Sequence, residues 1–276
     1  MLILLLSSGV YQFATAQSAW TKKQGSGFLK LSEDIIVSGD FYDAEGNIVD
    51  ITTTGIYITS LYGEYGLSDR FTGFFYVPFI RSTLNEQRQI NSGLTTPGDE
   101  ANSIGDATIG LAYGLKQSGA FVLNVSLALG LPLGDTRGGD TQLLQSGDGE
   151  FNQLIKLNAG YSFYPAPVYA TAGIGFNNRT RDFSDEFHFN LEVGVTLAKN
   201  LNAALKINNV TSFNNGDPQA SQTGIFSNNL EFLSIGPEIA YDINERFGVS
   251  ANVLGAASGQ NILASPSFGF GVFLKF

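Results

Sequence analysis

The 276-residue chain contains no cysteine, and only 14% of its residues are charged. The lack of cysteine excludes a disulfide-stabilised scaffold and a thiolate metal site. The net charge of −10 disfavours a nucleic-acid binder, which needs a basic face. The sequence has no run of 18 apolar residues, so no transmembrane helix is predicted. Amphipathic helical repeats are also missing, which is unusual for a globular domain of this length.

The chain begins with a short apolar run, Met1 to Leu6, followed by small and polar residues up to Ala14-Thr15-Ala16. This triplet is typical of a signal-peptide cleavage site, although no basic residue precedes the run. We therefore expect residues 1–16 to be a signal peptide and residues 17–276 to be the exported chain. The alternative is a frayed N-terminus without a targeting role.

The dominant pattern from Gly27 onward is alternation of apolar residues with polar or small ones, clearest at 120–131 and 187–197. Such alternation gives a β-strand one apolar face and one wet face. Counting these segments predicts twelve strands, at 28–37, 55–67, 71–80, 104–115, 120–131, 151–163, 168–178, 186–197, 201–210, 230–241, 247–256 and 267–276.

The connections between the predicted strands alternate in length. Short turns are separated by long loops at 38–54, 81–103, 132–150, 179–185, 211–229 and 257–266. An even number of strands, with short turns at one end and long loops at the other, is typical of a bacterial outer-membrane barrel. The predicted fold is all-β: a single closed antiparallel transmembrane β-barrel of 12 strands, with short periplasmic turns and long extracellular loops. A two-layer sandwich would also alternate, but it would not sort its loops by length.

Strands that run towards the short turns end alike, and four of them carry tyrosine at the same depth: Tyr65, Tyr113, Tyr161 and Tyr241. Tyrosine repeated at one depth on a lipid face is typical of an interfacial girdle, with its ring in lipid and its hydroxyl among headgroups. We predict a periplasmic aromatic girdle. The alternative is chance enrichment of a good strand former.

The last predicted strand alternates to the end of the chain, and one of its faces is formed by Phe268, Phe270, Val272, Leu274 and Phe276. An alternating apolar strand that ends in an aromatic residue resembles the sorting signal read by the outer-membrane assembly machinery. We therefore predict that machinery as a partner.

A closed barrel has no unpaired edge, so its apolar side chains must face lipid and its polar side chains the lumen. Glycines also occupy inward-facing positions of the strands. There they either leave open space in the lumen or make room for inward aromatic rings. Glu33 violates the pattern by falling on the lipid face, so we expect a β-bulge or a shorter first strand there. The charged residues and the histidine predicted to line the lumen are Glu64, Asp106, Lys156, His188, Glu192, Lys206 and Glu238.

One pair of lumen residues follows from the register. If residues 198–200 form a three-residue hairpin loop, Leu197 pairs with Leu201, and Glu192 then lies directly opposite Lys206. Opposed charges on neighbouring strands stabilise a sheet modestly. A structural ion pair is therefore favoured over a constriction that selects solutes.

His188 is the single histidine, and no nucleophile can be placed beside it by sequence spacing. No catalytic residue, metal site or cofactor is therefore predicted, and the chain is not expected to be an enzyme. The predicted loops are rich in acid at 40–50 and 135–150. These carboxylates either bind divalent cations near lipopolysaccharide or, in the favoured interpretation, are solvated.

Four stretches carry a recognisable pattern: YGLSDRF with YVPFI (65–71 and 76–80), GDATIGL (105–111), LGLPLGD (129–135) and GDGEF (147–151). They resemble the outer-membrane barrel family named for the meta-pathway of phenol degradation, a distant relative of the long-chain fatty-acid channels. The resemblance implies a closed barrel that passes small apolar or aromatic compounds. The fatty-acid channels carry an N-terminal plug, for which residues 17–26 are too short.

Together these observations favour an outer-membrane channel or uptake protein that passes small, apolar or aromatic solutes through a polar-lined lumen. The alternatives are a structural or adhesive surface barrel with a plugged lumen and, less favoured, a barrel lipid hydrolase. The expected location is the bacterial outer membrane. The expected partners are a small-molecule solute, membrane lipid, lipopolysaccharide and the assembly machinery, without nucleic acid.

Overall fold

The structure, a computed structural model, describes residues 19–88, 95–217, 220 and 228–276. The predicted signal peptide at residues 1–16 lies outside the described residues. None of the described residues forms a helix long and apolar enough to span a membrane.

Twelve long strands, called first to twelfth below, build the structure. They are Gly27–Tyr42, Ile48–Gly66, Phe71–Leu84, Ala107–Lys116, Phe121–Leu131, Asn152–Ser162, Val168–Arg179, Glu186–Ala198, Leu201–Ser212, Glu231–Asp242, Phe247–Gln260 and Ser267–Lys275. Short strands accompany them at Gln87–Arg88, Thr95–Thr96, Asp99–Ile104 and Ile262–Leu263.

The sheet closes on itself. Each long strand pairs with its neighbours in sequence, and the first strand also pairs with the twelfth, through Leu29 opposite Leu274 and Asp34 opposite Gly269. Closure leaves no row of unpaired backbone groups, which is what a wall inside hydrocarbon requires. The predicted closed barrel of 12 antiparallel strands is confirmed.

The first hairpin extends beyond the predicted strand ends. Its two strands stay paired as far as Tyr42 and Ile48, and a turn over residues 43–47 joins them. The long loop predicted at 38–54 is therefore wrong for this connection. Residues 48–54 are mainly isoleucine, valine and threonine, whose branched side chains favour extended backbone even where the apolar alternation stops.

Two other predicted loops also contain strand. In the stretch 81–103, the third strand continues upward and pairs with Asp99–Ile104. In the stretch 257–266, Ile262–Leu263 pairs with the end of the first strand. These pieces raise the wall at the long-loop end of the barrel, which is the extracellular end in outer-membrane barrels.

Side-chain direction divides the wall into an outer and an inner surface. The outward residues Leu127 and Phe270 are 45% and 55% exposed, whereas the inward residues Asn124 and Asn158 are 0% and 2% exposed. This division follows the period-two pattern of the sequence, because successive side chains of a strand point to opposite faces.

The inner surface changes character towards the extracellular end. There Ile36, Ile56, Ile58 and Ile80 point inward and are buried in one apolar cluster with Leu144 of the loop after the fifth strand. The loop folds over this end, so the apolar side chains meet one another rather than water. The polar lining predicted for the lumen is therefore interrupted by apolar side chains towards the extracellular end.

Inward aromatic rings lie over inward glycines at three places. A Cβ atom on Gly110, Gly194 or Gly248 would lie 2.1–2.2 Å from a ring atom of Phe74, Tyr169 or Phe273, respectively. At these three positions the inward glycines therefore make room for aromatic rings, rather than leaving open space in the lumen. The inner space of the barrel is narrowed accordingly.

Glu33 remains on the outer face of a regular strand. The first strand pairs without interruption with the second over residues 27–38 and with the twelfth over residues 28–36. The predicted bulge or shortened strand is therefore wrong. The carboxyl group of Glu33 instead accepts a hydrogen bond from the hydroxyl of Thr59, which lies directly opposite on the second strand.

The turn between the eighth and ninth strands differs from the prediction in length. Ala198, rather than Leu197, pairs with Leu201, and the register shifts between residues 196 and 198. The predicted pairing of Leu197 with Leu201 is therefore wrong. The shift restores the register beyond it, so Glu192 lies directly opposite Lys206.

We predict that Gly194→Ala destabilises the barrel by about 1–3 kcal/mol. The added methyl group would lie 2.2 Å from the ring of Tyr169 and would force it out of place. Urea unfolding in detergent micelles, followed by circular dichroism, measures the effect. Gly255→Ala is the matched control, because a Cβ there has only a backbone oxygen of Ile235 near it, at 3.8 Å. Equal stability of the two variants would show that the ring does not depend on the glycine.

Candidate functional site

Charges of alternating sign meet on the inner wall of the barrel. The ammonium group of Lys206 lies 3.1 Å from the carboxylate of Glu238 and 3.5 Å from that of Glu192. The ammonium group of Lys30 lies 3.7 Å from Glu238. At the other end, the hydroxyl of Tyr169 donates a 2.6 Å hydrogen bond to Glu192. We call these five residues the charge ladder.

The charge ladder is positioned by strand register. Glu192 and Lys206 lie opposite each other on the eighth and ninth strands, and Glu238 follows on the tenth. Lys30 reaches Glu238 from the first strand by crossing over Gly271. Its Cε lies 2.7 Å from the place where a Cβ of Gly271 would be, so any larger residue would obstruct the lysine.

The ion pairs of the ladder are partly hydrated. The lysine and glutamate side chains are 10–23% exposed. Each pair offsets part of the cost of removing its charges from water, and loss of one partner would leave the other unpaired. Because two positive and two negative groups alternate, the ladder presents strong local dipoles but no net charge.

A second polar group lies on the fifth to eighth strands. The amide of Asn158 donates to Asn124 over 2.9 Å, and the ammonium of Lys156 donates to Asn190 over 2.7 Å. Asn158 and Asn190 also lean over Gly173, with oxygens 2.6 and 2.4 Å from the place of a Cβ. These contacts line the inner wall with hydrogen-bonding groups on the side of the barrel away from Lys30.

Residues 19–26, called the N-terminal segment, enter the barrel at the end with the short turns. Ala19 is fully buried, and the ring of Trp20 packs edge-on against Tyr169, with ring centroids 6.0 Å apart. A Cβ on Gly160 would lie 2.9 Å from both Ala19 and Trp20. The glycine therefore gives these two residues room against the wall.

Polar contacts fix the N-terminal segment in place. The backbone amide of Thr21 donates to the side chain of Gln117 over 2.9 Å, and that of Lys22 donates to Thr72 over 2.8 Å. The ammonium of Lys22 lies 2.9 Å from Glu64. Residues 17–26 are predicted to be too short for a plug like that of the fatty-acid channels. The described part, residues 19–26, nevertheless crosses the mouth, because the mouth of a barrel of this size is narrow enough for a few residues to span it.

At the extracellular end, one buried arginine holds three carboxylates. The guanidinium of Arg179 lies 2.9 Å from Asp148, 2.7 Å from Glu150 and 2.8 Å from Glu186. His188 Nε2 lies 2.9 Å from Glu186. We call these five residues the ionic clasp. Its guanidinium uses the fixed fork of donors that suits several carboxylates at once.

The ionic clasp ties the loop after the fifth strand to the barrel wall. The side chains of Asp148 and Glu150 are 5% and 0% exposed, so the solvated-loop interpretation is wrong for these two carboxylates. Asp106 supports the same loop by accepting hydrogen bonds from the backbone amides of Gly134 and Asp148. Among the described residues, no group of three or more acidic or histidine side chains is arranged to hold a metal ion.

Burial sets the protonation of the loop carboxylates. It raises the pKa of Asp148 from 3.8 to about 7, against the opposing effect of the Arg179 guanidinium. Burial also raises the pKa of Glu150, again opposed by Arg179. The clasp therefore gathers more carboxylates than its arginine can neutralise, and one of them titrates near neutral pH.

The structure divides the seven predicted lumen-lining residues among different groups. Glu192, Lys206 and Glu238 meet in the charge ladder, and His188 belongs to the ionic clasp. Asp106 accepts hydrogen bonds from the loop that the clasp holds. Glu64 contacts the N-terminal segment, and Lys156 donates to Asn190. Whether they line a path for solute stays a prediction.

Sequence reasoning missed other members of these groups. The alternation pattern predicts Tyr169 as an inward aromatic residue, and Lys30 shares the inward parity of its strand, so the same pattern could have found it. Trp20 and Lys22 precede the first strand, and Arg179 stands at the end of the seventh. No local pattern marks these three, because their partners are distant in sequence.

The four predicted girdle tyrosines lie on the outer wall beside the short turns. Tyr65, Tyr161 and Tyr241 are 47%, 44% and 47% exposed, and the hydroxyl of Tyr113 accepts a hydrogen bond from Arg70 in the neighbouring turn. Further exposed aromatic residues at the same end are Phe71, Phe121, Phe163 and Phe247. Their contact with a membrane interface stays a prediction.

The apolar face of the twelfth strand is turned outward. Phe268, Phe270, Val272 and Phe276 are 45–55% exposed, and Leu274 is half-buried. The ring of Phe276 also stacks on Tyr65, with centroids 6.4 Å apart, and covers Gly27. The terminal residue therefore helps to seal the junction between the first and last strands.

One known protein family matches most of this chain in sequence. The family described as “Putative MetA-pathway of phenol degradation” matches residues 32–272. The chain belongs to this family. No curated protein sequence matches the chain significantly.

Solved structures resemble the chain in fold. An outer-membrane channel from Pseudomonas putida F1 is 11% identical with a TM-score of 0.68, covering 94% of this chain and 98% of that one. The NanC porin is 9% identical with a TM-score of 0.53, covering 90% and 100%. The translocator domain of the autotransporter NalP from Neisseria meningitidis is 10% identical with a TM-score of 0.53, covering 98% and 93%. The chain therefore has the fold of outer-membrane β-barrels.

We predict that acidification from pH 7 to pH 4 stabilises the wild-type barrel more than it stabilises Asp148→Asn. Because the pKa of Asp148 is raised to about 7 in the folded protein, the folded state holds a proton that the unfolded state releases down to its ordinary value of 3.8. Stability from this group therefore rises as the pH falls through that interval. Thermal unfolding at a series of pH values measures the difference.

Asp140→Asn is the control for this experiment, because Asp140 belongs to the same loop but is exposed. It should follow the wild-type profile. An Asp148→Asn profile that coincides with that of the wild type would show that Asp148 is ionised throughout the interval.

Proposed function

We propose that the protein is a channel that passes small, apolar or aromatic solutes across the outer membrane through the inside of the barrel. The charge ladder carries this proposal. Ion pairs are costly inside a dry core, so a set of them on the inner wall of a closed barrel favours an interior that holds water. The family description names the degradation of phenol, which is an aromatic compound of this class.

The inner wall offers a solute two successive environments. At the extracellular end the solute meets the apolar cluster around Ile56 and Ile58. Further in, it passes the charge ladder. Because the ladder has no net charge, it does not concentrate ions of one sign, but its dipoles and hydroxyl group can hydrogen-bond a neutral molecule. This order suits an uncharged solute with both apolar surface and a polar group.

The N-terminal segment acts as a gate at the periplasmic mouth in this proposal. Trp20 packs on Tyr169, and Lys22 pairs with Glu64. Both partners belong to the inner wall, so the segment lies across the route that a solute takes. Release of these few contacts would widen the mouth without any change in strand pairing.

A structural or surface barrel with a plugged lumen is the second candidate. The observation that favours it is the filling of the interior at both ends, by the apolar cluster and by the N-terminal segment. It predicts a barrel that stays closed to ions and solutes even when the N-terminal contacts are removed. Conductance measurements separate the two candidates.

A catalytic role for the single histidine is less well supported. His188 is 3% exposed and lies 2.9 Å from Glu186, which is itself paired with Arg179. These contacts give His188 a structural task in the ionic clasp. We therefore propose a transport protein rather than a lipid hydrolase.

The proposal includes the route by which the protein reaches its membrane. Residues 1–16 would direct export and be removed. The assembly machinery would then read the outward face of the twelfth strand. In the membrane, the girdle tyrosines would contact lipid headgroups on the periplasmic side, and the extracellular loops would contact lipopolysaccharide.

We predict that Trp20→Ala raises the single-channel conductance of the barrel in planar lipid bilayers. The substitution removes the ring that packs on Tyr169 and so opens space at the periplasmic mouth. Lys23→Ala is the control, because the side chain of Lys23 is exposed outside the barrel. It should conduct like the wild type.

The same recordings test the proposed function as a whole. If the wild type and Trp20→Ala are both electrically silent although folded, the channel is ruled out and the plugged barrel is favoured. Uptake of a radiolabelled aromatic compound into liposomes that contain the barrel then tests the solute class, with a sugar of similar size as the comparison.

We predict that Phe276→Ser slows assembly by the outer-membrane machinery more than it slows spontaneous folding in detergent. The residue ends the predicted sorting signal, whereas its packing on Tyr65 affects folding by either route. The heat-modifiable shift of the folded barrel on gels gives both rates. Phe270→Ser, on the same face but away from the terminus, is the comparison. If Phe276→Ser slowed machinery-assisted assembly and spontaneous folding equally, the only role of Phe276 would be its packing on Tyr65.

A further inference from the structure

Glu33 places a carboxyl group on the outer face of the barrel, well above the periplasmic edge. Gly27, at the start of the same strand, pairs with the girdle residue Tyr65. Six residues separate Glu33 from that level, which corresponds to about 20 Å along the strand. The apolar band of such barrels is about 25 Å tall and its strands are tilted. Glu33 therefore lies deep within the hydrocarbon.

An ionisable side chain at this depth is costly, and in membrane proteins it marks a functional position by default. The wall around Glu33 is regular, so the exposure of its carboxyl group is not the result of a local distortion. Thr59 donates one hydrogen bond to it. A carboxyl group offers about four acceptor positions, so most of its hydrogen-bonding capacity is turned towards its surroundings.

A groove of about 700 Å³ opens beside this carboxyl group on the outer wall. Glu33 and Thr59 lie at its edge, and Phe270, Ala251 and Ile239 continue the row of Glu33 across the twelfth, eleventh and tenth strands. Ala251 has only a methyl group between the larger side chains of Ile239 and Phe270, which leaves room in the middle of this row. Its volume falls within the range of sites that bind small molecules.

We propose that this groove binds a small apolar molecule that carries one hydrogen-bond donor, a hydroxyl or an amine, and that the donor bonds to Glu33. The apolar rows hold the body of the ligand, and the carboxyl group selects the donor. The site is on the membrane side of the wall, so its ligand arrives from the hydrocarbon and not through the lumen.

The depth of Glu33 decides between this ligand and a membrane lipid. The groove extends from Tyr241, a girdle residue, to Glu33. The strong donors of a phospholipid lie in its headgroup, which stays at the level of the girdle. An acyl chain can enter the groove, but it brings no donor to Glu33. A molecule that dissolves in hydrocarbon as a whole can bring one.

This proposal rests on the proposed function only for the class of solute, because an aromatic alcohol fits both. The site does not require an open lumen. Its test is therefore a binding measurement, which is independent of conductance.

The experiment compares 4-butylphenol with 4-butylanisole, its methyl ether, in which a methyl group replaces the donor hydrogen. The full barrel is placed in lipid nanodiscs, and ligand-observed NMR measures saturable binding above partition into empty nanodiscs. The wild type should bind the phenol about tenfold more tightly than the ether, as expected for one hydrogen bond to a carboxylate. Glu33→Leu should reduce the affinity for the phenol to that for the ether.

Three further variants keep the test interpretable. Ala251→Phe fills the groove and should weaken the binding of both compounds. Val193→Phe places the same aromatic ring at an outward position on the eighth strand, away from the groove, and should change neither. Glu33→Gln keeps the size and one acceptor oxygen, so its preference for the phenol should fall between those of the wild type and Glu33→Leu. The heat-modifiable shift on gels confirms that each variant is folded.

Equal affinity of the wild type for the phenol and the ether, or an unchanged preference in Glu33→Leu, would overturn the proposal. So would a lack of saturable binding, which would leave the groove to lipid acyl chains. If Ala251→Phe changed the sedimentation coefficient of the barrel but not the binding of either compound, this outer face would be a contact between two copies of the barrel. The proposed ligand site would then be wrong. A barrel that shows the predicted binding but no conductance would overturn the proposed channel and leave this site intact.

Discussion

Every backbone amide and carbonyl of a wall inside hydrocarbon must find its partner within the protein, and the pairing of the first strand with the twelfth meets that requirement. Closure with so few strands leaves little space inside. The aromatic rings over Gly110, Gly194 and Gly248 and the reach of Lys30 over Gly271 are consequences, since each depends on a glycine that leaves room on the inner wall. The shape of the interior is therefore set mainly by the positions of glycines, which have no side chain.

Two kinds of interior packing coexist within this one cylinder. Towards the extracellular end, loop residues close over inward isoleucines, and burial of apolar surface holds them together. Towards the periplasm, ion pairs and amides take over. The ionic clasp lies at the loop end and fastens a loop to the wall through Arg179. Burial raises the pKa of Asp148 in this clasp to about 7, so the order of this loop should respond to pH near neutrality.

The period-two pattern was enough to predict the twelve strands and the division between inner and outer faces, because both follow from local alternation. The opposition of Glu192 and Lys206 was predicted from an assumed turn length, and it holds because the register shift beside Ala198 compensates for the wrong pairing of Leu197. The pattern could not predict the irregular register beside Ala198, since a bulge leaves the alternation on either side intact. Nor could it predict the entry of Trp20 or the partners of Arg179, because those contacts join distant parts of the chain. Glu33 was visible as an exception, but the pattern could not say whether the backbone or the membrane contact would change to accommodate it.

Tyr169 touches Trp20 on one side and donates to Glu192 on the other. A displacement of the tryptophan can therefore be passed to Lys206 through two side chains while the wall stays rigid. Terminal segments move within nanoseconds to microseconds, whereas collective rearrangements take microseconds to milliseconds. In the proposed channel, a mouth built in this way would respond quickly and reversibly, and the hydrogen-bonded cylinder would not have to bend when a solute passes.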